Sequence, residues 1–182
     1  MSAHLLLVAL AAAALPATLV PGDLMPPLRG EFLSGRKATL PDAARGRFAL
    51  VALGFTYGSR FAVENWTTRF RRDFDADRSV TFFEVPMIGG LARLARPVID
   101  GGMRRGTPDS LRENVITVYA TGDAWKARLG CVRANDACLL LLDRNGRVAW
   151  RHSGPFGETA YGTLAGTLRG MLEAERRGPA TP

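Results

Sequence analysis

Cys131 and Cys138 are the two cysteines of this chain, six residues apart in the intervening count. In an oxidising compartment such a pair closes a small loop, and in a redox protein it is a working couple. Buried singly, each thiol is merely a small apolar side chain. A structural zinc is excluded, because it needs more ligands in closer pairs. The second place where chemistry is expected is Gly54-Phe55-Thr56-Tyr57-Gly58-Ser59-Arg60-Phe61, between an apolar run, Phe48 to Leu53, and a helical pattern of Val63, Trp66, Phe70 and Phe74. A thiol at such a strand-to-helix junction is activated, because the unpaired N–H groups and dipole of a helix N-terminus favour the thiolate. Gly58, Phe61 and Ala62 stand there instead. The turn itself therefore supports no thiol turnover, and the Ser59 hydroxyl does not replace a thiolate in peroxide reduction.

Asp100-Gly101-Gly102-Met103-Arg104-Arg105-Gly106-Thr107-Pro108 reads as a glycine-rich basic loop. Such a loop presents backbone N–H groups and guanidinium forks to a phosphate or carboxylate. It lacks the lysine-serine pattern of a nucleotide loop, so an acidic partner or bare solvent is the expected neighbour. Glu84 is the one carboxylate at an apolar strand end, set to pair with Arg60 or Arg104 or to face solvent. His152 is expected at the surface near a strand end. Ser59, Glu113 and His152 are the residue types of a hydrolase, but nothing in their spacing resembles a nucleophile elbow. No cofactor and no metal is implied.

The elements that must position these residues follow from periodicity and punctuation. Leu33 to Leu40 reads as a hairpin with Gly35 in its turn. Phe48–Leu53, a helix over 61–73 and Val80–Val85 form a strand-helix-strand unit, which requires a crossover and parallel pairing. Residues 87–106 read as a helix interrupted at Pro97 and closed by Gly101-Gly102. Val115–Tyr119 is a third strand, and a short helix runs from an Asp123 N-cap to a Gly130 C-cap. Ala137–Leu142 and Val148–Trp150 are joined by Asn145-Gly146, which predicts an antiparallel hairpin. A helix over 158–176 closes the chain before a loose tail.

This order of elements resembles the thioredoxin-like superfamily. Gly35 to Asp42 followed by Gly46 to Val51 resembles the opening of its peroxiredoxin and TlpA-like group, and Leu142 to Arg151 resembles the late hairpin of that group. The stretches Phe82-Phe83-Glu84-Val85-Pro86 and Arg96 to Arg104 are most similar to the group related to a mitochondrial ATP synthase assembly factor. The resemblance covers roughly residues 22 to 172. It implies an α/β fold with a central mixed sheet, helices on both faces and an N-terminal hairpin extension. It also implies that Ala137 stands where redox-active relatives carry a cis-proline. Phe55-Thr56-Tyr57-Gly58 further resembles the turn of copper-delivery proteins that serve cytochrome oxidase, but Gly58 and Ala62 stand where those proteins place the cysteines that soft copper(I) requires.

The chain has 182 residues, 47% of them hydrophobic, which suits one domain with a sizeable core. Its formal charge is +7, and no aromatic-basic interleaving of a nucleic-acid reader occurs. Residues 1–21 carry an uncharged Leu/Ala run and read as a signal peptide or a retained membrane anchor. The expectation is therefore a thioredoxin-like domain over 22–177, with a flexible tail at 178–182. It is exported to the periplasm, or anchored in the inner membrane and facing it. The leading functional expectation is a non-redox binding or assembly module that aids maturation of a membrane complex. Its protein partner would meet Tyr57, Gly58, Ser59, Arg60, Phe61, Glu84, Arg104 and Arg105. The alternative is a thiol-disulfide oxidoreductase or peroxiredoxin-like enzyme using Cys131 and Cys138.

Overall fold

The computed structural model describes residues 17–178. Most of the expected leader and all but the first residue of the expected tail lie outside the described residues. Strands β1 (Leu28–Phe32) and β2 (Lys37–Leu40) form the expected hairpin, with Gly35 at φ +96° in the turn between them. Strand β3 (Phe48–Gly54) is followed by helix α1 (Ser59–Phe74) and strand β4 (Val80–Pro86), which pairs with β3 in parallel. Helix α2 is Arg96–Gly106, strand β5 is Ile116–Thr117 and helix α3 is Asp123–Leu129. Strands β6 (Ala137–Leu142) and β7 (Val148–Gly154) make the antiparallel hairpin, and helix α4 (Glu158–Arg177) ends the fold.

The main sheet runs β4-β3-β6-β7, with β3 and β6 antiparallel in its centre. Both central strands are apolar at every position because both their faces are covered. Ala49, Val51 and Leu53 of β3, with Leu140 and Leu142 of β6, face a core shared with β1, β2 and α3. Leu50 and Ala52, with Leu139 and Leu141, face α1 and α4. Helix α1 buries Val63, Trp66, Phe70 and Phe74, the four positions whose spacing marks it in the sequence. Leu19, which falls within the expected leader, is buried on the α3 side, and its N–H donates to the Arg128 carbonyl at 2.8 Å.

Four expectations are corrected. Pro97 does not break a helix. It lies in the first turn of α2, where a missing N–H costs nothing, and the preceding Gly90–Ala95 is a separate 3-10 turn. Gly101 and Gly102 do not close α2, which continues to Gly106, so the basic segment is helix rather than loop and its backbone N–H groups are largely used internally. Strand β5 covers only Ile116–Thr117 of the expected Val115–Tyr119. It pairs antiparallel with β1, and its flanking residues meet β4 and the residue after it through the bridges Glu84–Val115 and Met87–Val118, with Val118 N–H donating to the Pro86 carbonyl at 3.1 Å and Asn114 Nδ2 to the Phe82 carbonyl at 2.9 Å. Asp123 makes no capping bond to α3, although Gly130 does end that helix in the left-handed conformation at φ +66°.

Candidate functional site

The turn after β3 is locked by its own hydroxyls. The Thr56 N–H donates to Ser59 Oγ at 3.1 Å, the Ser59 N–H donates to Thr56 Oγ1 at 3.0 Å, and Ser59 Oγ–H donates to the Thr56 carbonyl at 2.7 Å. Ser59 is fully buried by this, which leaves its hydroxyl committed to the turn and removed from solvent. On either side of it the chain turns outward. Tyr57 is 77% exposed and Phe61 is 55% exposed, and the Arg60 guanidinium lies over both rings at 4.3 and 4.4 Å from their centroids. That stack holds a cation between two exposed aromatic faces.

The turn is met by the loop that Cys131 and Cys138 close with a disulfide. Thr56 Oγ1 has Asn135 Oδ1 at 2.8 Å and the Ala134 carbonyl at 3.1 Å, either able to accept its proton. Gly58 is covered by the same asparagine: a Cβ on residue 58 would fall 2.5 Å from Asn135 Oδ1. A side chain at residue 58 would therefore displace the exposed Asn135 side chain from the turn. Cys138 lies in β6 opposite Leu53, one residue before the turn, and is buried in the core on the α3 side. Its polar neighbour is Ser153 Oγ at 3.8 Å. Cys131 follows the C-terminus of α3 and is half-buried, its N–H donating to the Lys126 carbonyl at 2.9 Å. Alternation along β6 is what aims Cys138 at α3, since Ala137 and Leu139 point to the opposite core.

The remaining candidates lie apart from this face. Glu84 pairs with neither Arg60 nor Arg104 and does not face open solvent. It accepts a hydrogen bond from Thr67 Oγ1 of α1 at 2.5 Å. Burial pushes its carboxyl above the ordinary value and the neighbouring Glu64 adds to that, while the Thr67 bond and Arg71 oppose it. Arg104 Nε donates to the Leu33 carbonyl at 2.7 Å and so ties α2 to the β1–β2 hairpin, whereas Arg105 is exposed. Glu113 pairs with Arg36. His152 is not at the surface: it is half-buried in β7 against Trp66 and Trp150, and burial lowers its pKa.

One polar cluster carries no signal in the sequence. Arg96 Nη2 donates to Glu31 at 2.6 Å and Arg96 Nε to Asp100 at 3.3 Å, while Tyr119 Oη–H donates to Asp100 at 2.6 Å. Burial, then the bond to Asp100, drives the Tyr119 hydroxyl well above its usual pKa. An open cavity of about 290 Å³ borders this cluster and the outer face of β1 and β2.

No family of known sequences matches the chain, and no curated protein matches it. Solved structures do match in fold. The thioredoxin domain of a thiol-disulfide oxidoreductase from Bacteroides vulgatus is 19% identical with a TM-score of 0.54, the match covering 82% of this chain and 98% of that one. A thiol peroxidase from Chromobacterium violaceum is 16% identical with a TM-score of 0.55, covering 90% of this chain and 94% of that one. BsSco, a member of the Sco family of cytochrome c oxidase assembly proteins for which a disulfide switch is described, is 10% identical with a TM-score of 0.55, covering 83% and 95%. The chain therefore has a thioredoxin-like fold, with a mixed sheet flanked by helices on both faces.

Proposed function

We propose that the chain is a thiol-disulfide exchange protein whose working couple is Cys131 and Cys138, moved off the strand-to-helix turn and onto the loop that faces it. The observation that carries this reading is the Cys131–Cys138 disulfide, which joins the end of α3 to the start of β6 beside the turn. Its chemistry is asymmetric because Cys138 is enclosed and Cys131 is half-exposed. An incoming thiolate of a substrate dithiol attacks Cys131 Sγ, and the bond to Cys138 breaks to release the Cys138 thiolate, which takes up a proton. The second substrate thiol, deprotonated, attacks the mixed disulfide and releases Cys131, which is protonated in turn. The substrate leaves as a disulfide, and the pair retains two electrons and two protons. Neither sulfur occupies the N-terminus of α1, so the exchange rests on access rather than on the helix dipole.

The test is thiol trapping of the purified chain across a series of dithiol buffers, together with turnover of a dithiol peptide. Cycling that is lost in Cys131→Ser and in Cys138→Ser, both still folded by near-UV circular dichroism, is the expected result. A bond that resists exchange while wild type shows no turnover overturns the reading.

A second reading is favoured by the exposed Tyr57–Arg60–Phe61 stack. In it, the turn face docks a protein client, and the chain serves the maturation of an exported or membrane-bound complex. Tyr57→Ala with Phe61→Ala then abolishes capture of that client and leaves thiol exchange intact; retained capture counts against it.

A further inference from the structure

The segment between β4 and α2 is built to leave the body of the protein. From Leu91 to Ala95 every residue is exposed, and none in the Gly90–Ala95 turn is buried. Leu91 is 84% exposed, Leu94 83% and Val98 74%. Their spacing of three and then four residues aligns them along one side of the 3-10 turn and the first turn of α2. Leaving large aliphatic chains this far in water is unfavourable without a partner, and side by side they form a patch rather than scattered exposure.

The base of this protrusion is fixed. Gly90 takes φ +60° as the chain turns out, and Gly89 packs near the Ala120 carbonyl. On the return side Arg96 is held by Glu31 and Asp100, and Asp100 by Tyr119. The aliphatic side chains are therefore presented by a braced loop. Along the segment itself the charge has one sign, and the carboxylates at its base, Glu31 and Asp100, are taken up by Arg96. No Asp or Glu occurs from Ile88 to Ile99, and Arg93 makes no ion pair among the described residues. The nearest acid along the chain, Asp100, is buried and paired. Across the whole chain the formal charge is +7.

From this geometry and charge we infer that the 90–98 protrusion is a membrane-surface contact that seats Leu91, Leu94 and Val98 in the headgroup layer of an anionic bilayer. A convex aliphatic tip flanked by arginine suits the interface, where apolar side chains enter roughly 5–10 Å and basic groups meet anionic headgroups. A protein-docking patch would instead centre on aromatic anchors, and the tip carries none. The contact does not depend on the thiol chemistry of Cys131 and Cys138.

The test uses the full chain, so that residues 1–16 contribute equally to every variant. Sedimentation is compared with vesicles containing phosphatidylglycerol and with vesicles of phosphatidylcholine alone. Wild type partitions more strongly onto the anionic vesicles, less so as salt rises. Leu91→Ser with Leu94→Ser lowers that partitioning by about tenfold per leucine, and Arg93→Glu lowers it further. In Leu94→Trp, anionic vesicles shift the added emission to the blue, which reports entry of this segment itself. Equal partitioning of wild type and the double serine variant overturns the inference, as does an unshifted Leu94→Trp spectrum on vesicles that the chain co-sediments with. A shift produced by a protein ligand and not by lipid overturns it in favour of a docking groove.

Discussion

Glu84 shows how a residue that looks catalytic becomes a local constraint. It sits at the end of an apolar strand, and its carboxylate faces α1, where burial raises its pKa and Thr67 donates to it. The folded state therefore holds its proton to higher pH than the unfolded chain does, and stability falls as pH rises through the window above the ordinary value of 4.5. Glu84→Gln keeps an acceptor for Thr67 and removes the buried charge. Its melting temperature is expected to exceed that of wild type by a few degrees at pH 7, with the gain vanishing as pH falls below that ordinary value. A variant that is less stable at pH 7 contradicts this account. Gly58 illustrates the same scale in another way. From the sequence it marks only a missing thiol, whereas in the fold it is the residue that lets Asn135 close on the turn.

Among the elements, β5 and α2 depart from expectation. Val115–Tyr119 reads as a third strand, yet only Ile116–Thr117 is strand, and it pairs with β1 because Gly30 lets the two backbones approach. A Cβ at residue 30 would sit 2.6 Å from Ile116 Cγ2 and 2.7 Å from the Thr117 carbonyl. One of these contacts is backbone, so side-chain rotation does not relieve it. Gly30→Ala is expected to lower stability by about 1–3 kcal/mol, read from urea unfolding. Wild-type stability in this variant would show that β1 and β5 do not pack this closely. Helix α2 teaches a related lesson: glycine at 101 and 102 reads as a terminator, but ties from Arg96 and Arg104 to the hairpin offset its poor propensity.

For the molecule as a whole, the disulfide decides how the late half of the chain is held over the turn. It spans a sequence separation of 7, and closing so short a loop in the unfolded chain contributes roughly 2.5 kcal/mol in the chain-entropy account. Cys131→Ser is expected to lose about that much in urea unfolding, and wild type to lose the same on reduction. An unchanged midpoint in both would show that the bond constrains nothing in the unfolded chain. This measurement is independent of turnover, since a bond can stabilise a fold whether or not it exchanges electrons.

Most of the elements and their order are legible in the residues alone. The apolar runs of β3 and β6, the helical spacing of Val63, Trp66, Phe70 and Phe74, and the Asn145-Gly146 turn act within a few residues of one another. Such short-range preferences are legible in one dimension, and with the order of elements they sufficed to indicate a thioredoxin-like fold. Which groups meet depends on how the elements pack. Thr56 and Asn135 are 79 residues apart in the chain, and Arg96 and Glu31 are 65 apart. No window holds both partners of such a contact. The same holds for the exposure of Leu91, Leu94 and Val98, whose composition is that of any core helix until the fold leaves them without a neighbour. Whether Cys131 and Cys138 bond was likewise open in the sequence, because spacing permits a bridge while only the approach of α3 to β6 brings the two sulfurs together.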